Sequence, residues 1–391
     1  MVADTFGFII HPIDPKGDVA RKYPLLGRLL PEPLIHFLCT YWPPVTISEI
    51  EGVRSAATGR EARGWFVAAP YTPRRMLEIP AEQVYRKIVE TGRLAERLGA
   101  KILGLGAFTS VVGDAGVTIA SRLDIPVTTG DAYTVAIASR ALVEAGRQMG
   151  IEPGQARAAV VGATGAIGSA CAMLLADEVG ELVLIGRRAG ALDAVRERCA
   201  GGRASVRTST RLADMHSADL ILTVTSSIGA IVEPEHLKPG AVVLDVARPR
   251  DVSRAVAAAR QDVLVVEGGM VEVPGEVDFH FNFGFPRGRA YACMAETMAL
   301  ALEGRYEDYT LGRDIELARI REIDTIAARH GFRLSGLRSF EREVTPEHIH
   351  WVREQAATAR RHIRRARRTA QATAAAGLAN AHPEWRVADP G

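Results

Sequence analysis

The chain is 391 residues long, with 47% hydrophobic and 24% charged residues and a formal net charge of +2. That balance excludes wholesale disorder, and a charge so close to zero excludes a polycation built to hold nucleic acid. Four cysteines, at 39, 171, 199 and 293, form no CxxC pair. Neither a disulfide framework nor structural zinc is expected, and no cluster of ligand residues calls for a metal.

The first residues, Met-Val-Ala-Asp, carry no basic n-region or apolar h-region. No signal peptide is expected, and a reducing cytoplasm is the default compartment. Phe6 to Ile10 reads as a strand. The most apolar stretch, Pro24 to Pro44, is broken by Arg28, Pro31, Glu32, Pro33 and His36, so it cannot be one spanning helix. Val45–Ser55 and Glu61–Thr72 read as a hairpin around Thr58-Gly59. Ala81–Leu98 has Val84, Ile88, Leu94 and Leu98 at helical spacing. Lys101–Gly106 and Pro126–Thr129 read as short strands, and Asp131 as the cap of a helix running to about Gly150.

Gly150-Ile-Glu-Pro-Gly154 marks a boundary. Beyond it, strand candidates at Ala156–Val161, Glu181–Ile185, Ser205–Thr208, Asp219–Val224, Ala241–Val246 and Val263–Val266 alternate with helical stretches, which predicts a doubly wound parallel sheet. From Arg289 to about His330 the chain reads as helical. Thr345 and Pro346 then open a last helix, with Ile349, Val352, Ala356, Ala359, Ile363, Ala366 and Ala370 on a heptad seam. Residues 342–368 hold eight Arg and three Glu, and the Ala-rich end is expected to fray. The seam suits the body of the protein or a second copy, making a homo-oligomer an expectation.

Val160-Val-Gly-Ala-Thr-Gly-Ala-Ile-Gly-Ser169 follows a strand and opens an apolar helix. Gly162, Gly165 and Gly168 suit a tight turn, a close approach to phosphate and close helix packing, and a helix start favours an anion. Gly162, Thr164, Gly165, Ala166, Ile167 and Gly168 are therefore the candidate cofactor loop of a Rossmann-type sheet. The next strand ends Ile185-Gly-Arg187-Arg188 instead of in an acidic residue. Two guanidinium groups suit a ribose 2′-phosphate, so NADPH is expected rather than NADH. Thr225 and Ser226, ending the fourth strand of the series, are candidate cofactor-lining residues. The plain alternatives are an empty glycine turn and two solvated arginines.

Cys293 sits at the start of a helix, after Pro286-Arg-Gly-Arg. Free N–H groups and Arg287 or Arg289 are expected to favour its thiolate, and a nucleophilic thiol beside a nicotinamide suggests thioester chemistry. A small packing residue in an Ala-rich helix is the plain alternative. The other three cysteines read as packing.

Several motifs in order carry a resemblance: Gly104-Leu-Gly-Ala-Phe-Thr-Ser110, Thr128-Thr-Gly-Asp-Ala-Tyr-Thr134, Gly162 to Gly168, Tyr291-Ala-Cys-Met-Ala-Glu296 and Leu311-Gly-Arg313. From about Phe6 to Phe332 the chain resembles the cyanobacterial-type long-chain fatty acyl-ACP reductases. The resemblance implies NADPH-dependent reduction of an acyl thioester, on acyl carrier protein or CoA, to a fatty aldehyde, with Cys293 as the nucleophile. Asp131 stands where that family usually has Asn, Val277–Pro286 differs, and the tail after Phe332 has no counterpart.

The expected organisation is an N-terminal α/β substrate domain (1–150), a Rossmann NADP(H) domain (151–288), a helical segment with the nucleophile (289–340) and an Arg/Ala-rich helix and tail (341–391). Leu25, Leu26, Leu29, Leu30, Leu34, Phe37, Tyr41 and Trp42 are candidates to line an acyl pocket or lie against lipid; a plain core is the alternative. His280, Ser110 and Asp131 are candidates to act on the carbonyl oxygen. The Arg-rich tail is a candidate dock for an acidic carrier. Two rivals stand beside this reading. One is a shikimate- or quinate-type dehydrogenase using Lys87 or Lys101 with an Asp, and the other an NADP(H)-sensing scaffold.

Overall fold

The computed structural model describes residues 4–379 apart from 228, 285 and 341, and the backbone alone over 374–379. It is a mixed α/β fold with two mainly parallel sheets.

The first half runs β1 (Asp4–Ile10), α1 (Pro15–Lys22), α2 (Pro24–Leu29), α3 (Glu32–Cys39), β2 (Val45–Arg54), β3 (Glu61–Ala68), α4 (Pro73–Glu78), α5 (Ala81–Leu98), β4 (Leu103–Leu105), α6 (Phe108–Val111), α7 (Val117–Ala120), β5 (Val127–Thr128) and α8 (Asp131–Gln148). The strands lie in the order β2-β3-β1-β4-β5, with β2 antiparallel to β3 and the other neighbours parallel. Val84 and Ile88 are buried in α5 against this sheet, as their spacing predicts; Leu94 and Leu98 are half-buried beside them, and Ala95 completes the buried stripe. The short helices α1 to α3 were not foreseen. Each has a proline in its first turn, Pro15 in α1, Pro24 in α2 and Pro33 in α3, where the missing N–H costs nothing.

The second half holds β6 (Arg157–Val161), α9 (Ala166–Glu178), β7 (Glu181–Ile185), α10 (Ala189–Arg198), β8 (Ser205–Ser209), β9 (Leu220–Thr223), β10 (Val242–Asp245), α11 (Arg254–Ala259) and β11 (Leu264–Glu267). These six strands are all parallel, in the order β11-β10-β9-β6-β7-β8. This is the doubly wound Rossmann order, whose direction reverses between β6 and β9. Their near-continuous apolar runs follow from burial on both faces.

After β11 the chain departs from expectation. Arg289–Tyr291, expected to be helical, is a strand, β13. It pairs antiparallel with β12 (Met270–Glu272), which also pairs β14 (Arg333–Leu334). Three residues are too few to show a period of two in sequence. Helix α12 (Ala292–Glu303) and α13 (Leu317–His330) come next, and β15 (Arg338–Ser339) and β16 (Arg342–Glu343) form a small hairpin. The last helix, α14 (Pro346–Ala379), opens as expected, with Thr345 Oγ1 accepting the His348 N–H at 3.2 Å. Its seam, however, is buried only at Ile349, Val352 and Ala356; from Arg360 to Thr373 every side chain is exposed. Residues 380–391, part of the expected fraying end, lie outside the described residues.

Helix α8, buried along most of its length, packs on α9, α12 and α13 and so joins the two sheets through one core.

Candidate functional site

A large cavity of about 1310 Å³ lies where the carboxyl ends of both parallel sheets meet. From the first sheet it is lined by Ile10 and His11 after β1, Gly106 and Ala107 after β4, and Thr129 after β5. From the second it is lined by Gly162 after β6, Arg187 and Arg188 after β7, Thr225 after β9 and Arg248 after β10. Ligands of open α/β sheets sit at this edge, at the switch point.

The glycine loop is tight. Gly162 has φ +86°, and a Cβ there would stand 2.5 Å from Val224 O; a Cβ on Gly168 would stand 2.2 Å from Gly162 O. Side chains are sterically excluded at both, and α9 begins at Ala166 with no side-chain cap. Its first N–H groups are therefore available to a phosphate. Thr164, Gly165, Ala166, Ile167 and Ser226 also line the cavity, and Arg187 and Arg188 are exposed at its end. The cradle fits a dinucleotide. Thr225 is differently engaged: its hydroxyl donates to Asp251 Oδ1 at 2.5 Å and its N–H to Oδ2 at 3.0 Å.

Two helix starts converge at the other end. Cys293 is the second residue of α12, half-buried, and lines the cavity. Gly130 packs directly on its backbone at φ +75°, and a Cβ there would stand 2.4 Å from Cys293 Cα. Gly130, not Asp131, is the cap position of α8. The cap itself comes from α12. Glu296, fully buried, accepts the Tyr133 N–H (2.8 Å) and the hydroxyls of Thr128 (2.5 Å) and Thr310 (2.8 Å). Asp131 is thereby freed to face the cavity.

The electrostatics of this corner differ from expectation. Burial, reinforced by the Asp131 carboxyl, pushes the Cys293 thiol up to about 12. Arg287, 81% exposed, pairs with Asp278 at 2.6 Å, so it does not favour a resting thiolate. Burial, then the Glu296 charge, pushes the Asp131 carboxyl up to about 8, so it is protonated at neutral pH. Ser110 lines the cavity, but its hydroxyl donates to Ala107 O at 2.8 Å.

Two expected residues lie elsewhere. His280 is outside the cavity, at φ +47°, with Nε2 3.2 Å from Glu51 on the exposed edge of β2. Asp278 is bridged to Glu51 by two backbone hydrogen bonds, which turns Phe279 inward onto Phe66 and His280 outward. Phe37 is 57% exposed, on the far side of α3 from the cavity. Trp42 does line it, with Leu26, Leu30, Ile35 and Leu38, as an apolar bay.

Sequence reasoning missed His11 and Glu296; Arg248 belongs to the Asp245–Asp251 loop, which its place at the end of a strand marks as cofactor-lining. His11 is fully enclosed. Its Nε2 accepts the Phe108 N–H at 2.9 Å, and burial holds it down near 4, so it is neutral. Arg248 sits over the Tyr291 ring at 5.3 Å. The available signal for His11 was the same position at the carboxyl end of a strand; Glu296 closes the Tyr291–Glu296 motif, but its capping role was not legible because its partners come from three separate elements.

The model of the shikimate / quinate 5-dehydrogenase family matches residues 144–267. An aminotransferase, PigE, of a Serratia species is 31% identical over 301 residues, covering 75% of this chain and 35% of that protein. The chain thus spans about a third of that relative's length. A long-chain acyl-[acyl-carrier-protein] reductase of Synechococcus elongatus is 29% identical over 306 residues, covering 74% of this chain and 87% of that one. Among solved structures, a dipicolinate synthase chain of Bacillus halodurans is 14% identical with a TM-score of 0.31, over 47% of this chain and 62% of that one.

Proposed function

We propose that the protein is an NADPH-dependent oxidoreductase that reduces a long-chain acyl thioester to an aldehyde through an acyl-enzyme on Cys293. The observation that carries this reading is one continuous cavity in which a phosphate cradle, a cysteine at a helix start and an apolar bay succeed one another. The likeness to an acyl-ACP reductase over most of both chains supports it.

The chain binds the nucleotide through the N–H groups of Ala166 to Gly168 at the start of α9, with Arg187 and Arg188 taking a 2′-phosphate; Gly162, Ala163 and Gly165 spend theirs on carbonyls that shape the loop. Leu26, Leu30, Leu38 and Trp42 hold the acyl chain, each buried methylene contributing about 0.8 kcal/mol. Cys293 Sγ attacks the thioester carbonyl. Because the thiol is pushed up to about 12, its proton leaves as the S–C bond forms, and the departing carrier sulfur gains one. The neutral Asp131 carboxyl donates a hydrogen bond to the carbonyl oxygen, beside the Cys293 and Met294 N–H groups in the first turn of α12, the Ala292 N–H being bonded to Gly269 O. NADPH held at the start of α9 and by Arg187 and Arg188 would supply the hydride that reduces the acyl carbon. As the C–S bond then breaks, Sγ is reprotonated and the aldehyde is free. The acyl donor, as carrier protein or CoA, is the proposed partner.

The lysine-based dehydrogenase chemistry has less support. Lys87 is bonded to Trp42 O and Glu90, Lys101 lies over the Tyr306 ring, and neither lines the cavity. The match to the shikimate / quinate model ends before Cys293.

Intact-mass measurement after mixing with long-chain acyl-CoA or acyl carrier protein tests the reading. An acyl adduct is expected, absent in Cys293→Ala and discharged by NADPH. No adduct in a protein that still binds NADPH would refute it.

A further inference from the structure

Helices α2 and α3 are apolar on both sides. Leu26 and Leu30, then Ile35, Leu38 and Trp42, line the cavity. Leu25, Leu29, Leu34, Phe37 and Tyr41 point the other way, and are 73%, 76%, 41%, 57% and 73% exposed. Leu77 on α4, 55% exposed, adjoins them, since His36 of α3 meets Thr72 and Glu78 at the two ends of α4. From Tyr23 to Pro43 the exposed charged residues are Arg28 and Glu32 alone, of opposite sign. A helix facing water carries polar residues on that face. An apolar patch as continuous as this marks a contact with another apolar phase.

We infer that this face binds a lipid bilayer, with α2 and α3 lying in the boundary between headgroups and acyl chains. Three observations favour lipid over a protein partner. From Tyr23 to Pro43 the patch offers only Arg28 and Glu32 as exposed charges, and the charges beside Leu77, Arg74 and Glu78, pair with each other at its margin, where protein interfaces carry a polar rim and about one hydrogen bond per 100–200 Å². Its helices are short and proline-started, and Tyr41, 73% exposed, stands at the end of α3 beside Phe37, an arrangement suited to lying in an interface. The patch is also the outer side of the wall that lines the apolar bay, so the bay is separated from lipid by one layer of helix. Passage of an acyl chain or an aldehyde across that wall rests on the function proposed above; the surface itself does not. Since Arg28 and Glu32 offset each other, attachment is driven by apolar insertion and not by headgroup charge.

The test is co-sedimentation of the full chain with phosphatidylcholine vesicles at low and high salt, without any acyl donor. Binding is expected at both, and the double variant Leu29→Ser/Phe37→Ser should lower the partition coefficient about a hundredfold. Both residues lie outside the cavity, so the variant's melting temperature and its Cys293 acylation in vesicle-free solution should be unchanged. No binding to phosphatidylcholine, or equal binding by the variant, would overturn the inference. So would binding confined to anionic vesicles and abolished by salt, which would assign the contact to the Arg-rich end of α14. Failure here with an intact acyl adduct would leave the proposed reaction standing; binding with no adduct would do the reverse.

Discussion

At Asp131 one residue decides how the site depends on pH. Burial and Glu296 together push its carboxyl up to about 8, from an ordinary value near 4. Below pH 8 it is neutral and can donate a hydrogen bond, as the Asn usual in the resembling family would. Above pH 8 it is an anion beside Cys293, opposing the negative charge that develops on sulfur and oxygen. Turnover is therefore expected to fall as pH rises through about 8. Asp131→Asn should keep activity at neutral pH and remove that alkaline limb, as a pH profile of kcat/KM would show. Stability follows the same sign. A carboxyl with a raised folded-state value keeps its proton where the unfolded chain has lost it, so stability declines between about pH 4 and pH 8 and levels off above. Asp131→Asn should flatten that slope in urea unfolding measured across pH. A limb that persists in the variant would remove Asp131 from this role.

The next scale is the meeting of α8 and α12, where Gly130 lets two helix starts touch. Its φ of +75° and the 2.4 Å approach to Cys293 Cα exclude a side chain. Gly130→Ala should cost about 2–4 kcal/mol by combining left-handed strain with overpacking, and should abolish acylation by shifting Cys293. Gly99→Ala is the control, because Gly99 has φ +97° but its nearest neighbour is Trp65 at 3.9 Å. That change should cost about 1 kcal/mol and leave acylation intact. Equal effects of the two on acylation would show that the contact does not position the thiol. Elements were legible in sequence wherever periodicity extended over a full strand or helix, as in α5 and the six strands of the second sheet. The glycine loop was legible because its spacing is local. The α8–α12 corner was not. Its cap comes from Glu296, and its chemistry from burial that no local pattern records. Nor were α1 to α3 legible, because α1 is short and mostly polar, and α2 and α3, apolar on both sides, show no amphipathic period. His280 was misplaced because two backbone bonds to β2 decide which way its strand-like segment faces.

For the whole molecule, both sheets turn their carboxyl edges to the cavity, and α14 is anchored at the opposite edge of the second sheet. Arg360 Nε donates to Pro239 O at 3.1 Å, just before β10, and Arg353 lies against Gly150, ahead of β6. The exposed arginines beyond Arg360 therefore leave the body away from the cavity, whereas a carrier delivering an acyl chain must approach it. This geometry does not favour the tail as the carrier's dock. Ending the chain after Ala359 should leave the melting temperature unchanged, since Ile349, Val352 and Ala356 are retained and the side chains from Arg360 to Thr373 are exposed. It should also leave KM for an acyl carrier protein donor within about twofold of the full chain, because loss of one exposed ion pair is worth only ~0–1 kcal/mol. Ending it after Thr345 should lower the melting temperature, because those three side chains lose their packing. Parallel assays with carrier-bound and CoA-bound donors decide the matter. A rise in KM for the carrier alone, in the chain ended at Ala359, would return the tail to the carrier despite its place in the fold.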